Sequence, residues 1–314
     1  MLWVIIAAAV LMILVLAASA FCYRLVFYNA NVSEHDPYVV PPGEQYAKVG
    51  DAILKSIAAL DALPYEQVNI TARDGIHLVG RYYNFYDNAP LQILFHGYRS
   101  CGLQDMCGGS LLARKNGCNV LLVDQRAHGK SGGHTITFGV EERWDCLSWT
   151  RYAVDRFGSE IKILLVGLSM GAATVLMASG LQLPKNVVGI IADCPYTGPG
   201  EIIRSVCRSI HLPALLLYPL VMIGALLYGR FYIWKGSAVR AVADTKVPIL
   251  LIHGEDDRFV PCEMSRQIHA VNPRMITLVT IPEAGHGLSY MLDPKQYELS
   301  VENFLRDCGL RHDT

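Results

Sequence analysis

The chain has 314 residues with 27 basic and 28 acidic side chains, a net charge of −1, so it offers no electrostatic excess for a nucleic-acid backbone. With 52% hydrophobic and 18% charged residues it is more apolar than an ordinary water-soluble domain, and the excess needs a place. The length suits one large α/β domain or two smaller ones.

Part of the excess is at the N-terminus. No charged residue occurs between Leu2 and Tyr23, and about 20 apolar residues suffice to cross a bilayer as a helix. The expectation is an uncleaved transmembrane anchor over residues 1–24. A signal peptide cleaved near Ala18-Ser19-Ala20 competes with it. Against cleavage, no Lys or Arg stands ahead of the run, which is longer than the usual h-region of about 7–15 residues. Bulky Phe21 argues against Cys22 as a lipidation site. Arg24 on the C-terminal side and nine cysteines without the look of a disulfide framework both point to a following domain on the cytoplasmic side of the cell membrane.

Residues 25–64 read as a linker and leading helix. The stretch 31–43 is polar and holds Pro37, Pro41 and Pro42, and the spacing predicts a helix over 45–63. Two strands, 67–71 and 77–84, are joined by the turn pair Asp74-Gly75. Apolar runs of strand length follow at 91–95, 119–123, 161–166, 187–191, 248–252 and 275–281, alternating with helices at 106–115, 141–157, 170–179, 261–271 and 294–307. Mostly apolar strands without clean alternation are buried on both faces. The pattern predicts an α/β domain over 65–314, with a mostly parallel eight-stranded sheet and helices on both faces. An insertion at about 195–245 interrupts the rhythm. Its uncharged run, Leu212 to Tyr228, is not a second span, because both flanking strands belong to one sheet. A helical cap over the site, dipping into lipid, and a buried connecting helix are both open.

Gly167-Leu168-Ser169-Met170-Gly171 matches G-x-S-x-G between a strand and a helix, the context of a nucleophile elbow. A serine needs a base, itself oriented by a third group. Of ten histidines, His286 is the candidate. It sits in Ala284-Gly285-His286-Gly287 just past the last strand, whereas His35 lies in the linker, His269 in a helix and His312 in a charged tail. Asp257 is the candidate acid, by its spacing to Val260-Pro261, with Asp256 and Asp193 as rivals. The order Ser, Asp, His is that of α/β hydrolases. The backbone N–H groups of Met170 and Tyr98 are the candidate oxyanion donors, the latter from His96-Gly97-Tyr98-Arg99-Ser100, where His96 braces the loop.

These motifs, together with Asp124-Gln125-Arg126-Ala127-His128-Gly129-Lys130-Ser131, occur in the order of the α/β-hydrolase superfamily. Between about Gln67 and Cys308 the sequence resembles its bacterial membrane-anchored branch, related to serine aminopeptidase-like hydrolases. Arg-Ala-His-Gly stands where many members have Arg-Gly-His-Gly, in a segment that is usually structural. Gly139, Glu142, Asp145 and Trp149 also match the branch, with packing and capping as their preferred roles. The chemistry expected is hydrolysis of a carboxylic ester, of hydrophobic or lipid-like acyl character, through an acyl-enzyme. A peptidase acting on short peptides and a non-catalytic, membrane-tethered binding protein are the alternatives. No cofactor or metal is expected: Cys101 and Cys107 are too far apart for C-x-x-C, and Asp124 occupies the position of a P-loop's first glycine. Ser169 also separates this chain from members that use an aspartate nucleophile.

Overall fold

The computed structural model describes residues 1–30 and 35–310; His312 and part of the expected linker lie outside them. Helix α1 (Leu2–Val26) carries apolar residues on every side, and only Ser19 and Cys22 are buried. A helix without a polar face, covered by so little protein, has the character of a bilayer span. It does not end in a free tether. Phe27 is fully buried, edge-on to Phe138 and Phe231. Tyr28 forms an antiparallel bridge with Thr135, and Asn29 donates to the Ala127 carbonyl.

Helix α2 (Glu44–Asp61) leads into an eight-stranded sheet. Its strands are β1 (Glu66–Thr71), β2 (His77–Tyr83), β3 (Leu91–Phe95), β4 (Asn119–Asp124), β5 (Ile163–Leu168), β6 (Val187–Asp193), β7 (Ile249–Gly254) and β8 (Ile276–Ile281). The order is β1-β2-β4-β3-β5-β6-β7-β8. The pairs β1·β2 and β2·β4 are antiparallel and all the others parallel. Successive side chains of a strand face opposite ways, so Ile93 and Phe95 enter one apolar layer and Leu94 the other. Both layers are dry, which is why these strands lack polar alternation.

Helices α3 (Gly102–Asp105), α4 (Cys107–Lys115), α5 (Glu142–Phe157) and α6 (Met170–Ala178) come from the first half of the sheet. The second half supplies α7 (Pro199–Ser209), α8 (Ala214–Leu227), α9 (Ala238–Val242), α10 (Glu263–Val271), α11 (Ser289–Leu292) and α12 (Pro294–Asp307). One layer holds the apolar faces of α5, α6, α9 and α10 together with Phe27; the other holds those of α2, α4 and α12. Ile53, Ile57 and Leu60 of α2 are buried there, each worth about 2 kcal/mol of apolar transfer. The leading helix is therefore part of the sheet's second layer.

The insertion between β6 and β7 forms α7, α8 and α9, and α8 packs along α1. Glu142 accepts from the Thr137 and Gly139 N–H groups at the start of α5. Asp145 pairs with buried Arg126 at 2.6 Å, and Trp149 is buried, so these residues cap and pack.

Candidate active site

The β5–α6 turn carries Ser169 at φ 54°, ψ −111°, a conformation that costs a non-glycine residue on the order of 1–3 kcal/mol. The surroundings hold it there. The Ser169 N–H donates to the Asp193 carbonyl at 2.8 Å. A Cβ on Gly171 would lie 2.0 Å from the Phe95 carbonyl oxygen, and one on Gly167 would lie 2.3 Å from the Gly171 carbonyl carbon. Only glycine fits at either flank, which lets α6 start directly behind the serine.

Past β8, the loop 284–287 brings His286 Nε2 to 2.9 Å from Ser169 Oγ and Nδ1 to 2.7 Å from Asp257 Oδ2. Asp257 lies in the loop after β7 with its side chain fully buried. Burial alone would raise its pKa. Hydrogen bonds from His253 and His286, with the Val260 N–H, outweigh it and hold the carboxyl well below the usual carboxylate range. An ionised carboxylate only accepts, so Nδ1 of His286 carries the proton and, in neutral imidazole, Nε2 is left to accept from the serine hydroxyl. His253, from the end of β7, braces the acid loop: its ring nitrogens contact Ser265 Oγ at 2.7 Å and the Val260 carbonyl at 2.9 Å. Of the rivals, Asp256 is exposed. The Asp193 carboxyl has Ser289 Oγ at 3.5 Å, and burial pushes its pKa up to about 6.

The loop after β3 is tied down on three sides. Half-buried Asp105 accepts from the Gly97 N–H at 2.7 Å and from Ser100 Oγ at 2.5 Å. His96 Nε2 accepts from the Gln125 N–H, and His128 Nε2 accepts from the Arg99 N–H. Burial lowers both histidine pKa values, that of His96 to about 4, so both rings are neutral and their Nδ1–H groups donate to the carbonyls of Gly97 and Arg126. With the Gly97 N–H taken, the Tyr98 N–H is left without an acceptor among the described residues. Met170 opens α6, where the first N–H groups have no intrahelical acceptor.

Beside Ser169 lies a cavity of roughly 420 Å³. No residue of the 195–245 insertion lines it, so of the two readings left open for the insertion the cavity lining gives no support to a cap over the site. Its cover is the proline-rich segment expected as a spacer: Val39, Pro41 and Pro42, with Tyr46 of α2. The insertion went to α1 instead, because α1 offers an apolar partner along its length.

Sequence reasoning missed Asp105 and Tyr46, and gave His128 only as part of a structural segment. Tyr46 donates to the His286 carbonyl at 2.7 Å across 240 residues, a contact with no local signal. Asp105, eight residues after Gly97, had a weak one, an acid five residues past the His96–Ser100 motif. Cys194, Asp257 and His286 bring ligand atoms within 4.8 Å of one another. They suit a metal poorly. Both imidazole nitrogens are engaged, and burial, with the Asp193 and Asp257 carboxylates, keeps Cys194 a thiol where a metal needs a thiolate.

A sequence model of the alpha/beta hydrolase family matches residues 92–298, more than half of the chain. The chain belongs to the α/β-hydrolase family. Among its relatives, this hydrolase is 28% identical over 190 residues to YqkD of Bacillus subtilis, described as uncharacterized, covering 60% of this chain and only 62% of that protein. YfhR of Escherichia coli K12, also described as uncharacterized, is 24% identical over 228 residues, 70% of this chain and 73% of its own. The Pyrococcus furiosus esterase Pf2001 superposes on the hydrolase with a TM-score of 0.64 at 26% identity, over 81% of this chain and 93% of that one. Est1E of Butyrivibrio proteoclasticus, solved with ferulic acid bound, shares the fold alone: TM-score 0.58 and 20% identity over 78% of this chain and 100% of that one.

Proposed function

We propose that this hydrolase cleaves carboxylic esters through a Ser169–His286–Asp257 triad and an acyl-enzyme, from a domain held at the membrane by α1. The observation that carries the reading is the unbroken relay from Ser169 Oγ through His286 to an ionised, buried Asp257. The likeness to an esterase supports the substrate class.

His286 takes the hydroxyl proton as Ser169 Oγ attacks the ester carbonyl, and Asp257 stabilises the imidazolium. The N–H groups of Tyr98 and Met170 receive the oxyanion; one such donor is typically worth about 10²–10³ in turnover. The alcohol leaves with the proton from His286. Water, activated by the same base, then attacks the acyl-serine and releases the acid. No step calls for a cofactor. A cavity of this volume takes a small molecule, and Val39, Leu168, Leu288 and Met291 in its lining favour an apolar acyl chain.

Labelling with a fluorophosphonate, read by intact mass, tests the triad. One adduct is expected on the wild type and none on Ser169→Ala, whose esterase turnover should fall by about 10⁴–10⁶. A Ser169→Ala variant with normal turnover overturns the mechanism. Matched chromogenic esters and peptide amides separate ester hydrolysis from peptidase action; faster turnover of the amides would move the assignment to the latter.

The domain is placed on the cytoplasmic side. Supporting this, all nine cysteines are unpaired, as a reducing compartment would keep them, and Arg24 follows the apolar run. A fluorescent protein that matures only in the cytoplasm, fused to the C-terminus, should fluoresce; a dark fusion at normal expression would put the domain on the other side.

A further inference from the structure

We propose that α8 is a second membrane element, a helix that does not cross the bilayer but lies in lipid against the C-terminal half of α1. The proposal rests on the reading of α1 as the anchor. From Leu212 to Gly229 there is no charged residue. The helix has 14 residues, about 21 Å long, too short to cross about 30 Å of hydrocarbon. A core helix of this composition would be covered by protein, yet only Val221, Gly224 and Ala225 are buried. Leu215 and Leu216 are 88% and 69% exposed.

What covers the exposed side follows from what α8 touches. A Cβ on Gly224 would lie 2.6 Å from the Ser19 carbonyl oxygen, so the two backbones approach as helices do at small residues within membranes. Tyr228 donates to the Leu16 carbonyl at 3.0 Å, and its ring lies 5.9 Å from that of Tyr23. Leu16, Ser19 and Tyr23 are spaced three and four residues apart, one face of α1. Whatever bathes α1 at that level therefore bathes the C-terminal half of α8; on the other half, Tyr218 packs on α7 under the Arg204 guanidinium, while Leu215 and Leu216 stay uncovered. From Leu16 to the end of α1 at Val26 is about 15 Å, the hydrocarbon depth of one leaflet. Beyond α8 come Arg230, then exposed Tyr232 and Trp234, with Lys235 over the Tyr232 ring; aromatic and basic residues mark the boundary between lipid and water. The occupant is thus the acyl region of the leaflet that α1 leaves.

The placement has a consequence for access. At the C-terminal end of α1, Arg99 donates to the Leu25 and Tyr28 carbonyls and Tyr98 to that of Val26. Tyr98 and Arg99 also line the cavity beside Ser169. The cavity wall therefore stands at the membrane surface, where an amphiphilic ester would arrive with its chain already in lipid.

The test uses the full chain in phosphatidylcholine vesicles whose acyl chains are brominated near the headgroup, so that lipid contact quenches tryptophan. The probes are Leu215→Trp and, as a second variant, Leu216→Trp, each read as the difference from the parent chain. Leu299→Trp, on exposed α12 in the layer opposite α1, is the aqueous reference. Trp3 of α1, read through Trp3→Phe, reports on the anchor, and fluorophosphonate labelling at the wild-type rate reports a folded domain. Tryptophan at 215 or 216 should lose most of its emission to brominated lipid, and tryptophan at 299 should keep its own. If Trp3 is quenched while 215 and 216 both match 299, the proposal is overturned and the anchor stands. If Trp3 is unquenched as well, the anchor reading itself fails and takes the proposal with it. Unquenched but blue-shifted emission at 215 that depends on protein concentration would put a second protein surface there in place of lipid, which also overturns it.

Discussion

Asp105 acts on the loop 96–100 much as Asp257 acts on His286: a carboxylate withdrawn from solvent, half-buried at Asp105 and buried at Asp257, is reached from another element and fixes a group that must not wander. Burial raises the Asp105 pKa, while the Ser100 and Gly97 hydrogen bonds pull it back. It lines the cavity but its hydrogen bonds go to Gly97 and Ser100 rather than to Ser169 or His286, so it is a positioning residue. Asp105→Ala should release the Gly97 N–H and let the loop drift, and misplacement by about 1 Å costs about 10²-fold in turnover. The expected outcome, read by steady-state kinetics on a chromogenic ester, is a large fall in kcat with KM nearly unchanged. Asp105→Asn, which keeps one acceptor oxygen, should restore part of it. An equal fall in both variants, with lowered thermal stability, would mean that the carboxylate serves folding alone.

The five inner strands β3 to β7 were legible as elements because both faces of each are dry, and continuous apolar runs of that length have few other fates; β8, at the sheet edge, is only partly covered. Their C-terminal ends were less legible. β5, β6 and β7 each run two residues further than the apolar pattern, through Gly167-Leu168, Ala192-Asp193 and His253-Gly254, because the parallel ladder continues after the hydrophobic run stops. These are the residues that lead into the site. The covering of the cavity was not legible at all. Segment 35–46 is rich in proline and polar groups, and its place over the site is set by contacts far away in sequence, such as Gln104 donating to the Val39 carbonyl at 2.6 Å. Tyr46 is the point where that segment grips His286, through its carbonyl. Tyr46→Phe removes one hydrogen bond to the His286 carbonyl, worth about 1 kcal/mol, so kcat should fall roughly fivefold. A larger fall in Tyr46→Ala would show that the ring also shapes the cavity, and unchanged kcat in Tyr46→Phe would mean that the loop holds His286 without help.

For the molecule as a whole, the question is where the apolar helix α1, long enough to cross a membrane, ends and the hydrolase fold begins. Composition drew the line at Arg24, with a linker after it. The packing draws no such line. Phe27 sits in the same apolar layer as the inner faces of β3 and β5, Tyr23 Oη meets Thr135 Oγ1 at 2.7 Å, and the carbonyls of Leu25, Val26 and Tyr28 are held by Tyr98 and Arg99. Helix α1 thus enters the domain as a structural member, and its last turn holds the loop that carries the Tyr98 N–H. Two shortened chains separate this arrangement from a simple tether, both studied in mild detergent because removing α1 uncovers α8. A chain starting at Tyr23 keeps the last turn; one starting at Asn29 loses it. Removing a buried phenylalanine side chain costs about 3–5 kcal/mol, so the shorter chain should unfold at clearly lower urea concentration. Its Ser169 should also react more slowly with a fluorophosphonate, since Tyr98 and Arg99 lose their acceptors. A tether that only holds the hydrolase at the bilayer predicts equal midpoints and equal labelling rates for the two chains. Equal midpoints with slower labelling would instead confine the role of the last turn to the loop after β3.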